Sequence, residues 1–341
     1  MTDSHQSKSI AAKLIALGQR PIPLTRRQAL ALGGVAAAAA GAGAVWHFKR
    51  IAVCNAMALV FWVPTHFDDE AELGRSQAEA DLMRPLFTRK GTPARGEWLA
   101  VVDEPGETLN QYVRALAPAP RETTGPILIL PFGTFDARLA AIVADVVALG
   151  GLFYGRGVTL LPIEPLPPLA ADQRRGTGAT EHLYSLALLD LLKPRAPPQA
   201  AAMLAMTPMD LTPGPGWNFV FGQASLVDRV GVWSLHRLAA REAPPQLQLR
   251  RVAQVALHEL GHMFGMAHCT AYACCMNGSN SLMESDAAPL PFCPECDAKV
   301  RWRLHLEPKR RYARPAEFAA AKELVRDAEL WAQCAKALEA G

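Results

Sequence analysis

The sequence predicts an α/β (α+β) fold: a mixed twisted sheet covered by helices, with one helix carrying a metal site. Three observations predict it. From residue 125 onward, short apolar runs alternate with helical periods, the pattern of strands and helices laid in turn on one sheet. Residues 251–264 read as a helix, with Val252, Val255, Ala256 and Leu260 on one apolar stripe. Half of the 341 residues are apolar, so a large core is available, and the length allows about two domains.

Residues 127–130 read as a strand and 136–149 as a helix. Residues 158–161 form a strand stopped by Pro162, and 181–192 a helix stopped by Pro194. A third strand follows at 202–206, then short strands at 217–221 and 231–235. The active-site helix comes next, then a short helix over 293–304. Residues 315–338 read as one long helix, begun by proline and rich in Ala, Glu and Lys. The proline-rich stretch 161–169 reads as a rigid loop rather than a ligand for another protein. Residues 51–63 are an apolar run, and 67–120 are charged and mixed with few clear periods. The expected organisation is an N-terminal segment 1–46, a variable lobe 47–124, a catalytic domain 125–306 and a C-terminal helix 307–341.

The chemistry concentrates in His258-Glu259-Leu260-Gly261-His262-Met263-Phe264-Gly265-Met266-Ala267-His268. Residues four apart share one helix face, about 6 Å apart along the axis, so His258 and His262 can hold one metal. Glu259 lies about 100° round the helix, badly placed as a ligand but able to reach a water on the metal. Gly265 tolerates the left-handed turn that ends the helix and brings His268 back as third ligand. Three protein ligands leave one tetrahedral position open to water, the mark of a hydrolytic rather than a structural zinc. H-E-x-x-H alone is weak; the added glycine and third histidine make the metzincin form.

Cys269 follows directly, then Cys274, Cys293 and Cys296. Cys293-Pro294-Glu295-Cys296 is a knuckle in which both thiols can face one ion, and Cys269 with Cys274 supplies the other pair of a four-cysteine structural zinc. Anchored at Cys269, such an ion would support the backbone of His268. Cys275 competes with Cys274 for the fourth place. Disulfides or free buried thiols are the alternative.

These residues resemble the archaemetzincins. The resemblance rests on residues 258–269, on Cys274, Cys275 and Met276, on 277–286 and on Cys293 to Cys296. Residues 209–224, Gly96-Glu97-Trp98-Leu99 and the 161–169 stretch also look like the family. It covers roughly residues 90–305. It implies a metzincin-like zincin with the metal in a cleft below the sheet and a four-cysteine zinc subdomain beneath. It implies His258, His262 and His268 as catalytic zinc ligands and Glu259 as general base. Cys269, Cys274, Cys293 and Cys296 become structural zinc ligands, and Met276 the floor of the metal site. Two Zn²⁺ and a peptide or protein substrate follow. Cys275 is an extra thiol, and Met283 stands where a second acidic residue is expected.

The first 50 residues do not resemble the family. Lys8, Lys13, Arg20, Arg26 and Arg27 precede an uncharged stretch, 28–46, rich in Ala, Gly, Leu and Val. Thr25-Arg26-Arg27-Gln28-Ala29-Leu30 looks like a twin-arginine export signal, and 42–44 offers a small-residue cleavage site. The expectation is a periplasmic or exported protein, anchored in a membrane if the stretch is not cleaved. The alternative is an Ala-rich helix on a cytoplasmic protein. Thirty-five basic against 32 acidic residues, without a basic stripe, give no basis for a nucleic-acid partner. Three functions stay open: trimming of short peptides from the amino end, internal cleavage of a narrow set of proteins, or a silent zinc-stabilised binding module.

Overall fold

The computed structural model describes residues 67–116, 125–306 and 308–340. The expected export or anchor segment 1–46 and the apolar run 51–63 lie outside the described residues. The front is helical: α1 (Phe67–Met83), α2 (Trp98–Val101) and α3 (Leu109–Leu116). Then come β1 (Ile127–Pro131), α4 (Ala137–Tyr154), β2 (Val158–Leu160), β3 (Arg174–Arg175), β4 (His182–Tyr184) and α5 (Ser185–Leu192). β5 (Ala202–Thr207), β6 (Asp210–Thr212), β7 (Gly222–Ala224) and β8 (Val230–Ser234) precede the long helix α6 (Pro245–Met263). The chain closes with α7 (Leu282–Ala287), α8 (Pro294–Leu304), α9 (Pro308–Ala321) and α10 (Val325–Ala340).

The main sheet runs β2-β1-β5-β8-β7; its first four strands are parallel and β7 is an antiparallel edge. Alternation along the strands separates two cores. Ile127, Ile129, Leu204, Met206 and Trp233 face one core with α4 and α6, while Leu130, Met203, Ala205, Val230 and Val232 face the other with α5. Each large apolar side chain so buried stabilises by about 1.5–3 kcal/mol. β3, β4 and β6 form a smaller sheet. The front helices share the first core: Met83, Leu109, Tyr112 and Val113 pack into the cluster that holds α6. α4 is capped by Asp136, whose carboxylate accepts from Leu139 N at 2.8 Å, and ends at Gly155 with φ +56°.

Four expectations need correction. The helix expected over 181–192 starts only at Ser185, because residues 182–184 pair in parallel with Asp210–Thr212. The strand expected at 217–221 is displaced to β7: the Arg175 guanidinium holds the Trp217 and Asn218 carbonyls at 2.6 and 2.5 Å, and only Val220, bridged to Leu211, and Phe221, whose carbonyl accepts from Ser234 N, pair with other strands. The single helix expected over 315–338 is two. Glu323 breaks it with φ +58°, and the helix-starting proline is Pro308 while Pro315 lies inside α9. The helix that carries His258 and His262 begins at Pro245, well before residue 251.

Asp327 of α10 fixes the approach of this helical layer to α6. Its carboxylate accepts from Arg250 Nε at 2.7 Å and from Leu290 N at 2.8 Å, and its side chain is 2% exposed. Asp327→Ala removes the counter-ion of a largely buried guanidinium, leaving it only carbonyl and amide acceptors, and is expected to destabilise the protein by about 3–5 kcal/mol. Urea unfolding of the metal-loaded variant beside the parent measures it; an unchanged midpoint overturns the assignment.

Candidate metal centres and active-site cleft

His258 and His262 lie one turn apart near the end of α6. His258 Nδ1 donates to the Cys275 carbonyl at 2.8 Å and His262 Nδ1 to the Met266 carbonyl at 2.7 Å. A carbonyl only accepts, so both protons sit on Nδ1 and the Nε2 lone pairs are left to converge, 3.0 Å apart. Burial, with the nearby His268 imidazole, pulls His258 down to about 3, so it is the neutral base a metal requires.

The helix ends at Gly265, φ +91°. Gly265 N donates to the His262 carbonyl at 2.8 Å and Met266 N to the Gly261 carbonyl at 3.2 Å, the paired bonds of a Schellman end. The reversed chain brings the His268 ring centroid within 5.2 Å of His258 and 4.9 Å of His262. One ligand nitrogen from each ring lies within 4.8 Å of the others. Zn–N bonds of about 2.0–2.1 Å in a tetrahedron separate nitrogens by roughly 3.3 Å, so the set is of the right size.

Glu259 lies on the cleft side of α6, 4% exposed, with no hydrogen-bond partner at Oε2. Burial pushes its carboxyl well above the usual carboxylate range. An orphaned buried carboxylate oxygen beside three converging imidazoles fits a metal with an open coordination position. Gly222 of β7 makes room for it: a Cβ there would lie 2.7 Å from Glu259 Cδ.

The second cluster is Cys269, Cys274, Cys293 and Cys296, all buried, with sulfurs within 4.8 Å of one another. Cys269 and Cys293 Sγ are 3.6 Å apart, too far for the bond of about 2.05 Å in a disulfide. Zn–S bonds of about 2.3 Å would set tetrahedral sulfurs roughly 3.8 Å apart, so this donor set also fits zinc. Burial drives the Cys274 and Cys293 thiols up, while hydrogen bonds from the neighbouring thiols hold Cys269 low. Cys275 points elsewhere, its Sγ donating to the Gln254 carbonyl at 3.4 Å. It is Cys274, not Cys275, that joins the cluster.

Met276 is fully buried against α6. A Cβ at Gly261 would collide with its Sδ and lie 2.9 Å from Met266 Cε. The glycine inside the helix, costly by propensity, is thus required by close packing beneath the histidine turn.

Two contributors escaped sequence reasoning. The Glu104 carboxylate accepts from His268 Nδ1 at 2.8 Å, and the Trp98 ring meets His268 edge-on at 5.2 Å. Burial raises the Glu104 carboxyl, but the His268 charge and hydrogen bond outweigh it and hold the group below its ordinary value. Gly96-Glu97-Trp98-Leu99 was a signal for Trp98; nothing local marked Glu104, which precedes its partner by 164 residues.

The cleft over the three histidines has a volume of about 320 Å³. Its walls include Trp98, Leu186, Phe219, Phe221 and Leu226, with the edge strand β7 along one side. Residues 217–221, expected as a strand, contribute wall residues instead, and the edge strand itself lies at 222–224.

Comparison with known proteins completes the picture. The family description Peptidase family M54 matches residues 203–302. Archaemetzincin-2 of Pongo abelii is 34% identical over 192 residues, 47% of this chain and 53% of the relative, so the chain spans about half the length of that protein. Archaemetzincin of Pyrococcus furiosus is 30% identical over 184 residues, 52% of this chain and 93% of the relative. The crystal structure of archaemetzincin from Methanopyrus kandleri superposes with a TM-score of 0.46 at 30% identity, over 55% of this chain and 99% of that one. With nearly the whole of the Pyrococcus protein matched at this identity, the chain belongs to the archaemetzincins, peptidase family M54.

Proposed function

We propose that the protein is a zinc-dependent peptidase that holds one catalytic and one structural Zn²⁺. The observation that carries the reading is the pairing of three tautomer-fixed imidazoles with the buried, unpartnered carboxylate of Glu259 in one cleft. His258, His262 and His268 would hold the catalytic ion, and Cys269, Cys274, Cys293 and Cys296 the structural one. Zinc supplies a lowered pKa for water, from about 15.7 to roughly 7, and polarisation of the scissile carbonyl. Glu259, a buried carboxylate with a free oxygen beside the three imidazoles, accepts the proton of the attacking water. The same carboxyl then hands the proton to the leaving amine. A binding module with a silent cleft has no use for such a carboxylate.

The shape of the cleft supports cutting of internal bonds over trimming from the amino end. β7 is an edge strand whose residues line the cleft, so an extended peptide can add to it by backbone hydrogen bonds beside the three histidines. Among the described residues lining the cleft, Glu259 is the only acidic one, and it is committed as the base. A free α-ammonium would meet no separate anion there. Export of an already folded, zinc-loaded chain, suggested by residues 1–46, would suit four thiolates that an oxidising compartment could otherwise pair.

Glu259→Gln is expected to keep its zinc and to lose roughly 10²–10⁴-fold in kcat on a peptide library; retained turnover sinks the general-base role. Amino-blocked peptides should be cut as readily as free ones, and products shortened one residue at a time from a free amino end would favour the other reading. Metal analysis separates the thiols: Cys274→Ser should lower the zinc content by one ion per chain while Cys275→Ser leaves it at two. Gly222→Ala should displace the Glu259 carboxylate and depress kcat more than KM, with zinc content unchanged; parental kinetics would contradict the close packing between them.

A further inference from the structure

We infer that Glu104 is the positioning residue of the third histidine, and that its buried carboxylate sets how tightly the three-histidine site holds zinc. The inference rests on the proposed metal site and goes beyond it by assigning the front of the chain a part in metal affinity.

The three imidazoles are not held alike. His258 and His262 sit on α6, and their Nδ1 protons go to backbone carbonyls. His268 lies beyond the helix end on a loop, where no helical backbone fixes its ring. Its Nδ1 meets both oxygens of Glu104, at 2.8 and 3.1 Å. Both side chains are nearly out of water, 10% exposed for His268 and 8% for Glu104. The Trp98 ring, edge-on at 5.2 Å and 83°, limits the remaining rotation.

The segment carrying Glu104 is pinned at each end. Trp98 N donates to the Glu284 carboxylate at 2.9 Å, tying the start of the segment to α7. Gly106, at φ +71°, presses on Thr270, two residues past His268; a Cβ there would collide with the threonine hydroxyl and lie 3.4 Å from its Cβ. The Lys299 ammonium, from the helix of the cysteine knuckle, donates to the Glu107 carbonyl at 2.5 Å and pairs with its carboxylate at 3.3 Å. Thr108 N donates to Gln111 Oε1 at 2.8 Å, opening α3. Glu104 is therefore delivered to His268 by a strap tied to α7, to the loop after His268 and to the helix that follows the cysteine knuckle.

The chemistry follows from the acceptor. An imidazole that gives its Nδ1 proton to a carboxylate keeps a fixed tautomer and orientation, and its Nε2 is a stronger donor than one bonded to a neutral carbonyl. Losing such a partner typically costs 10–100-fold in metal affinity.

The test uses the full chain, with cobalt in place of zinc at the histidine site. Glu104→Ala should weaken that site 10–100-fold in competition with a chelator and change the visible cobalt spectrum. Glu104→Gln keeps an oxygen acceptor without the charge and should recover part of the affinity. It also serves as the deciding variant should the alanine form fail to fold. Zinc at the four-cysteine site and the far-UV circular dichroism should match the parent in both. Parental chelator competition and cobalt spectrum in the variants overturn the inference. So does loss of zinc from both sites together, which marks general unfolding. A parent that takes up no metal at the histidines overturns the proposed function instead.

Discussion

Three Nδ1 protons, each given to a fixed acceptor, are the constraint on which the rest of the site depends. An imidazole free to rotate or to change tautomer presents its lone pair to a metal only part of the time. Here the Cys275 carbonyl, the Met266 carbonyl and the Glu104 carboxylate remove that freedom. The acceptors come from three parts of the chain: the loop under α6, the turn that ends it, and the strap between α2 and α3. The requirement to orient three rings therefore reaches into most of the fold.

The cysteine cluster bears on the same problem from below. Cys269 is the residue after His268, and its N–H donates to the Met276 carbonyl at 2.8 Å. Asn277 ties the loop together, donating to the Cys269 and Tyr272 carbonyls at 2.7 and 2.9 Å and accepting from Cys274 N at 2.9 Å. Cys293 N reaches Cys274 Sγ at 3.1 Å. The loop is anchored twice, by these hydrogen bonds and by Tyr272, Met276, Leu290 and Phe292 packed in the main core. α10 adds support from outside, where Asp327 joins Arg250 to Leu290.

Much of the fold was legible because its signals are local. The strands at 127–130, 158–161 and 202–206 stand out as apolar runs closed by turns, and the structure has strands there. Most of the failures come from partners that no local pattern shows. Residues 182–184 have a helical pattern but find Asp210–Thr212 to pair with. Residues 217–221 have a strand's composition but lose two carbonyls to Arg175. Glu323 carries no breaker signal, yet α9 and α10 pack on one another only if the chain turns there.

By itself the sequence determined which residues meet along one helix and round one turn. A four-residue interval puts His258 and His262 on one face, and a glycine at 265 permits the left-handed turn toward His268. That knowledge is geometric and short in range, because 3.6 residues per turn and the absence of a Cβ act within a few bonds. Only the tertiary structure decided which of two adjacent thiols joins the cluster, which three residues form the cleft's edge strand, and which carboxylate faces His268. Those choices depend on burial and on hydrogen bonds closed across as many as 164 residues, where no local pattern carries the information.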